Sequence, residues 1–375
     1  MERSLLHTPD GFRDIYDEDC EKKLELERRI REVICSFGYR AIETPSVEFA
    51  GVFSGSADNE SEKELYRFFD RDGSTMALRP DFTPSVARSA AKYFSLSDPV
   101  RLCYQGQTFV NHSSYKGMLK ETTQLGAELM GDPGADADAE VLAMVIRSLL
   151  ESGLKDFQIT VGHAGYFDSL AAGTELQRNQ IEELKSLIRN RNSYGAGEYL
   201  ARQGITGDAA RVFTGLPDLM GGRETLDKAR AMLAELPEET RGASGALERL
   251  EEVYEILKIY GLAQYITFDL SMLGSFMYYT GIIFRGYTYG AGDAIVKGGR
   301  YDHLLEQFGK NAPSTGFVIV IDQLLEALRL QGISIDPGRR RETITVHPGN
   351  RREAIERAGL LRAQGVAVEM VYTAE

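Results

Sequence analysis

Two long segments of strand-forming residues, separated by a short polar turn, constrain the fold of this chain more than any other feature. Residues 100–110 (VRLCYQGQTFV) and 122–130 (TTQLGAELM) flank the turn around residues 113–116. This arrangement predicts two antiparallel strands joined in a hairpin. Further strands are predicted in groups rather than in strict alternation with helices, at residues 157–162, 266–272, 281–287 and 294–297. Strands grouped in this way favour an α+β domain with an antiparallel sheet.

Helices are predicted to flank this sheet. Residues 18–37 carry apolar side chains mostly at three- and four-residue steps, and Gly38 provides a stop signal. Further along the chain, Thr83 is expected to be the N-cap of another helix, with Pro84 at the first helical position. From about residue 171 to residue 242 the pattern changes to short helical pieces interrupted by Gly and Pro. This change predicts a small helical insertion.

The C-terminal part of the chain has a pattern of its own. Residues 337–341 have the composition of a linker, and residues 342–375 read as a strand, a helix and a second strand. We therefore expect one large domain over residues 1–335, which contains the insertion, and a partial α/β remnant over residues 342–375. Parallel strands normally need neighbours and cover on both faces. The truncated βαβ remnant is accordingly expected to dock on the large domain or on another subunit.

Composition argues against several classes of function. No apolar run approaches the roughly 20 residues that span a bilayer, and no signal peptide is visible, so we expect a cytoplasmic protein without membrane contact. Three scattered cysteines without a CxxC pair, and five histidines without an HxxxH pair, predict neither a disulfide framework nor a metal site. The net charge of −13 disfavours tRNA as a partner, because nucleic-acid binding requires cations for the phosphates.

Several segments resemble histidyl-tRNA synthetases. Arg101–Gly131 matches motif 2 of that family without a gap, including the frame R-L-x-Y-x-G-x-x-F and the closing Q-L-G-x-E. Three more stretches match in the same order: LRPDFT at residues 78–83, YYTG at 278–281 and GGRYD at 298–302. HTPDGFRDIYDED, at residues 7–19, is similar to the family's opening. The resemblance covers about residues 7–330 and implies a class II synthetase-type antiparallel sheet flanked by helices.

The resemblance also implies a pocket for histidine. Its residues would be Asp81, Thr83 and Gln124 around the α-amino group, Glu128 and Tyr278 facing the imidazole, and Tyr279 and Tyr301 closing the site. A carboxylate and a phenol suit this task, because together they can bind both ring nitrogens of an imidazole. Spacing alone leaves open a second interpretation, in which Glu128 is a surface residue of a strand and the tyrosines belong to the core.

Three positions depart from the family's pattern, and all three concern ATP. Class II synthetases hold the phosphates of ATP with arginines, whose planar fork matches phosphate oxygens. At the corresponding positions this chain has Val110 after the motif 2 Phe, Gly274 four residues before the tyrosine pair, and Gln323 in motif 3. None of these residues can neutralise a phosphate. We therefore predict no catalytic residues, no cofactor and no adenylate formation.

A histidine pocket without an ATP clamp is typical of one subgroup of this family. Its members are non-catalytic subunits that join a short-form ATP phosphoribosyltransferase at the first step of histidine biosynthesis. The resemblance implies a hetero-oligomer with that catalytic subunit, a homodimeric core formed through the motif 1 region, and histidine as a candidate ligand that mediates feedback inhibition. Two alternatives stay open: a divergent histidine–tRNA ligase, and a stand-alone histidine-binding regulator of another partner.

Overall fold

The computed structural model describes residues 6–54, 61–112, 118–234, 236, 241–273, 278–338 and 340–373. The chain divides into two compact units. The larger consists of Met1–Asp14 with Glu27–Ser334, and the smaller of Ile15–Leu26 with Ile335–Glu375. In the described residues, no helix combines the length and the apolar character needed to cross a membrane.

The middle of the chain is mostly helical, and most strands lie before or after it. The helices are α1 (Asp17–Ser36), α2 (Gly51–Ser54), α3 (Thr83–Tyr93), α4 (Ala135–Glu151), α5 (Ala164–Ala172), α6 (Arg178–Arg189), α7 (Ser193–Arg202), α8 (Gly207–Gly215), α9 (Glu224–Leu233), α10 (Arg241–Ile259), α11 (Ile321–Leu330) and α12 (Arg351–Ala363). The strands are β1 (Arg40–Ala41), β2 (Val47–Phe49), β3 (Arg67–Phe69), β4 (Thr75–Leu78), β5 (Val100–Phe109), β6 (Glu121–Met130), β7 (Phe157–His163), β8 (Met220–Gly221), β9 (Ile266–Asp269), β10 (Ile282–Thr288), β11 (Val296–Arg300), β12 (Ser314–Val320), β13 (Arg341–Val346) and β14 (Ala367–Tyr372).

A large sheet organises the bigger unit. Its strand order is β1-β5-β6-β12-β11-β10-β7-β9-β8 in the described residues. Neighbouring strands are antiparallel except at the pairs β1–β5 and β7–β9. Helices flank the sheet; α4, for example, packs against β12 and α10. The α+β class and the antiparallel sheet predicted from the sequence are confirmed.

The hairpin of β5 and β6 is the longest ladder of this sheet. Ten residues of each strand pair in register from Val100–Met130 to Phe109–Glu121. This confirms the two predicted strands; the predicted turn around residues 113–116 lies outside the described residues. Gly126 lies opposite Tyr104, and a Cβ at residue 126 would come within 2.5 Å of the Tyr104 hydroxyl. The glycine therefore leaves room for the tyrosine ring on this face of the sheet.

Strand β12 has no counterpart among the predicted strands. It pairs with β6 on one side and β11 on the other, and so lies near the middle of the sheet. Its glycine, Gly316, lowers strand propensity, which is why the segment does not read as a strand. A glycine inside a strand often marks a place where another group approaches closely, and Gly316 lies opposite Glu128.

Helix α3 begins differently from the sequence-based expectation. Its N-cap is Phe82, which makes no side-chain cap hydrogen bond, and Pro84 lies in the first turn. Thr83 is already the first helical residue, and its hydroxyl donates to Glu128 instead of capping the helix. The prediction of Thr83 as the N-cap was therefore wrong, because a buried tertiary partner competes for its oxygen.

A buried ion pair joins α4 to the main sheet. Asp138 in the first turn of α4 is fully buried, and Arg300 at the end of β11 is 3% exposed. Their closest atoms, Arg300 Nη2 and Asp138 Oδ1, are 2.8 Å apart, and Arg249 of α10 approaches Asp138 Oδ2 to 3.2 Å. Arg300 is thereby held by an opposite charge, and the next residue, Tyr301, points to the other side of the strand end, into a cavity.

The remaining parts are smaller. Between α5 and α10 lie α6 to α9 and the short strand β8, which pairs with β9. In the smaller unit, β13 and β14 form a parallel pair whose apolar residues pack on α12 through Ala354 and Ala358. The domain limits expected from the sequence, at residues 335 and 342 with an insertion at about 171–242, stay predictions.

Candidate functional site

A cavity of about 500 Å³ lies in the larger unit, against β6, β12 and the start of α3. It contains every side chain that the sequence assigned to a histidine pocket: Asp81, Thr83, Gln124, Glu128, Tyr278, Tyr279 and Tyr301. These residues come from four separated parts of the chain. The structure thus brings the whole predicted set together around one space.

Glu128 of β6 is the most deeply buried acidic group of this cavity, with 1% of its surface exposed. Its Oε2 accepts a hydrogen bond from the Tyr301 hydroxyl at 2.5 Å, and its Oε1 accepts one from Thr83 Oγ1 at 2.9 Å. The Tyr104 hydroxyl donates to Oε1 at 3.2 Å. A Cβ at residue 316 would lie 1.7 Å from Oε2. The carboxylate therefore fits only because that residue is glycine.

The electrostatics of the cavity favour a cationic guest. Burial raises the pKa of Glu128 to about 8, although the hydrogen bonds from Tyr301 and Thr83 act in the opposite direction. Burial also raises the pKa of Asp81, against the backbone N–H groups of Thr83 and Phe82. The negative charge of each carboxylate is poorly solvated, and Asp81 further raises the pKa of Glu128. A positive group between them would relieve both effects.

Three tyrosines close the cavity. The rings of Tyr278 and Tyr279 lie 4.8 Å apart, and Tyr278 meets Tyr301 edge-on at 5.8 Å. Burial raises the pKa of all three hydroxyls, with neighbouring carboxylates adding to the shift. They consequently stay protonated near neutral pH and can act as hydrogen-bond donors to a ligand or to Glu128.

Tyr104 is a site residue that the sequence analysis did not assign. Its ring stacks on Phe82 at 4.5 Å with an interplanar angle of 12°, and the Arg79 guanidinium lies 3.9 Å from the centre of the Phe82 ring. Arg79 is fixed in turn by the carbonyl oxygens of Gln107 and Thr44. This column directs the Tyr104 hydroxyl to Glu128. The sequence signal that could have identified Tyr104 is its place as the tyrosine of the motif 2 frame. In the hairpin it lies opposite Gly126.

The cavity contains two of the three positions where, by the resemblance, a synthetase has arginine. Val110 and Gln323 both line it, and Gly274 lies outside the described residues. The Oε1 atoms of Gln323 and Gln124 are buried there and lack a hydrogen-bond partner in the described part of the chain. At Val110 and Gln323 the cavity therefore offers an apolar side chain and an uncharged amide where phosphate binding would need cations.

The cations that do line the cavity are engaged. Arg13 Nη2 lies 2.8 Å from Asp322 Oδ1, and Lys297 Nζ lies 2.9 Å from Asp293 Oδ2. Lys120 donates to Asn111 Oδ1 at 3.1 Å. The Arg13–Asp322 pair, separated by 309 residues, was not predicted, because no local pattern links residues so far apart. Over the described ranges, no group of three His, Cys, Asp or Glu residues is arranged to hold a metal ion.

The large sheet and the helices that flank it define a class II aminoacyl-tRNA synthetase-type domain. A family model described as histidyl-tRNA synthetase matches residues 11–324. A histidyl-tRNA synthetase from Nostoc superposes with a TM-score of 0.83 over 99% of this chain and 86% of its own, at 22% identity. That likeness supports the fold alone.

More similar proteins define the family further. An ATP phosphoribosyltransferase regulatory subunit from Caldanaerobacter subterraneus subsp. tengcongensis is 38% identical over 98% of this chain and 94% of its own. The crystal structure of a Bacillus halodurans protein described as an ATP phosphoribosyltransferase regulatory subunit/histidyl-tRNA synthetase has a TM-score of 0.87 at 33% identity, covering 99% of this chain and 94% of that one. This chain belongs to the family of ATP phosphoribosyltransferase regulatory subunits, on a histidyl-tRNA synthetase-like fold.

The buried carboxyl group predicts how stability depends on pH. The folded state retains the proton of Glu128 up to about pH 8, whereas an unfolded chain loses it near 4.5. Stability therefore falls as pH rises between these values, and Glu128→Gln removes the effect. The measured quantity is the unfolding free energy of Glu128→Gln minus that of the parent protein, obtained by urea titration at several pH values. We expect this difference to increase by at most about 1.4 kcal/mol per pH unit and to become constant above pH 8.

Glu121→Gln is the matched control, since Glu121 lies on the same strand outside the cavity. A difference between Glu128→Gln and the parent protein that stays constant from pH 5 to pH 9 would contradict the burial of an ionisable group.

Proposed function

We propose that this chain is the non-catalytic regulatory partner of a separate short-form ATP phosphoribosyltransferase catalytic subunit. The two subunits would form a cytoplasmic hetero-oligomer that carries out the first step of histidine biosynthesis. The cavity would bind histidine, the end product, and transmit feedback inhibition. A sequence relative and a structural neighbour that both carry the description of regulatory subunit support this role.

One observation carries the proposal for the cavity: it retains buried carboxylates, and two of its three cationic side chains among the described lining residues already contact a carboxylate. Phosphoryl chemistry on ATP depends on positive groups that clamp the phosphates. Here Arg13 and Lys297 each contact a carboxylate, and Val110 and Gln323 are uncharged. The arrangement suits the binding of an amino acid better than its activation with ATP. This supports a role in binding without catalysis.

The geometry supports a specific mode of histidine binding. The α-amino group would lie near Asp81 and the unpaired Gln124 Oε1, since both are acceptors. The imidazole would lie near Glu128 and Tyr278, which offer an acceptor and a donor for the two ring nitrogens. Tyr279 and Tyr301 would cover the ring.

We also propose that the protein forms a homodimer through the outer face of a small sheet. In the sheet β2-β4-β3, Phe49, Met76 and Phe68 lie in one cross-strand row and therefore on one face. Phe49 is 61% exposed and Phe68 41% exposed, and Val47 of the same face is 38% exposed. A contiguous apolar face of this kind indicates a protein interface.

Reconstitution with a short-form catalytic subunit tests the functional proposal. The purified chain alone should catalyse no histidine-dependent exchange of ATP with pyrophosphate, no tRNA charging and no phosphoribosyl transfer. Added to the catalytic subunit, it should raise phosphoribosyltransferase activity in a saturable way. Exchange at about 1 per second or faster would instead identify a divergent histidine–tRNA ligase. No activation and no complex with the catalytic subunit would point to a regulator of another partner.

The histidine pocket is tested in the same complex. Glu128→Ala should weaken histidine binding, measured by calorimetry, about tenfold or more, because a charge-assisted contact contributes roughly 1.5–3 kcal/mol. Histidine inhibition of the complex should weaken in parallel. Glu121→Ala, on the same strand outside the cavity, serves as the control and should leave both properties unchanged. Normal inhibition in the Glu128 variant would place the histidine sensor elsewhere.

The dimer face is tested by adding charge to it. The double variant Phe49→Glu/Phe68→Glu should raise the dimer dissociation constant about a hundredfold or more in analytical ultracentrifugation, since burying unpaired carboxylates is costly. Phe69→Glu is the control: Phe69 is 77% exposed but lies in the alternate row of β3. If the double variant stays dimeric, the interface lies on another surface.

A further inference from the structure

The cavity is lined by more acidic than basic residues. Six carboxyl side chains face it among the described residues: Glu64, Asp81, Glu128, Asp293, Asp322 and Glu326. Three cationic side chains do so: Arg13, Lys120 and Lys297. His112 also lines the cavity, and its Nδ1 lies 3.2 Å from Glu64 Oε1. Even with Glu128 protonated, negative groups outnumber positive ones.

Two of the three basic side chains that line the cavity already meet a carboxylate, and the third, Lys120, donates to a neutral amide oxygen. Asp322 binds Arg13 with one oxygen and accepts the Thr123 backbone N–H with the other, at 2.6 Å. Lys297 contacts Asp293, and Lys120 contacts Asn111. A carboxylate on a bound ligand would therefore compete with an acidic side chain for Arg13 and for Lys297. Gln124 and Gln323 are uncharged, and their buried Oε1 atoms, which lack a partner in the described part of the chain, can accept hydrogen bonds from an amine.

We infer that this site recognises an imidazole joined to a cationic amine, and that it does not recognise a carboxylate. Its ligand class is then wider than histidine and includes imidazole amines that carry an alcohol, or nothing, in place of the carboxyl group. The inference rests on the proposed histidine pocket and deepens it. A buried anion without a cationic partner loses solvation and gains nothing in return, whereas an amine meets Asp81 and Gln124.

Calorimetry on the full-length chain with four probes tests this inference. L-histidine has both the amine and the carboxylate, L-histidinol and histamine have only the amine, and imidazole propionate has only the carboxylate. Histidinol should bind at least as tightly as histidine. Imidazole propionate should bind at least about thirtyfold more weakly than histidinol. Tenfold tighter binding of histidine than of histidinol would overturn the inference and leave the pocket assignment intact.

Val110 provides a gain-of-function variant and its control. Val110 lines the cavity, so Val110→Arg adds a cation there, and Val110→Met adds length without charge. The arginine variant should shift the preference between histidine and histidinol toward histidine by about fivefold or more, whereas the methionine variant should not shift it. Equal ratios in both variants would count against the inference. Failure of all four probes to bind, with normal activation of the catalytic subunit, would reject the pocket together with the inference.

Discussion

The desolvated carboxyl group of Glu128 is the constraint around which the cavity is built. A carboxyl group removed from water needs hydrogen-bond partners, and its three hydroxyl donors come from different parts of the fold. Thr83 begins α3, Tyr104 lies within β5, and Tyr301 follows β11. Meeting this one requirement fixes the helix, the hairpin and the strand end relative to one another within the larger unit.

The support behind these donors is also polar and buried. Arg300 and Tyr301 are neighbours in sequence, and they leave the end of β11 on opposite sides. Arg300 pairs with Asp138 of α4, and it also donates to the carbonyl oxygens of Asp132 and Gly134. Removing one member of such a buried pair would leave an uncompensated charge. Tyr301 is therefore held in place by an interaction outside the cavity that it lines.

The sequence predicted the elements whose patterns are local. The hairpin of β5 and β6 follows from composition and a polar turn, and the predicted order of strand, helix and strand near the C-terminus is found as β13, α12 and β14. Strand β12 was not predicted because Gly316 lowers the local strand propensity. The glycine is needed there because Glu128 of β6 occupies the space of its side chain. The seven pocket residues were found through resemblance to a family. Tyr104 and the Arg13–Asp322 pair were not found, since their partners are distant in sequence.

The close approach of Gly316 to Glu128 has a consequence for how this family can change over time. Residue 316 cannot acquire a side chain while residue 128 carries a glutamate, because the two would occupy the same space. Residue 128 can be shortened first, but only by giving up the group that three hydroxyls share. Residue 128 must therefore change before residue 316 can change. A side chain at residue 316 would also press on the Ala127 carbonyl oxygen, 2.7 Å from its Cβ, so the backbone keeps favouring glycine there after the glutamate is lost.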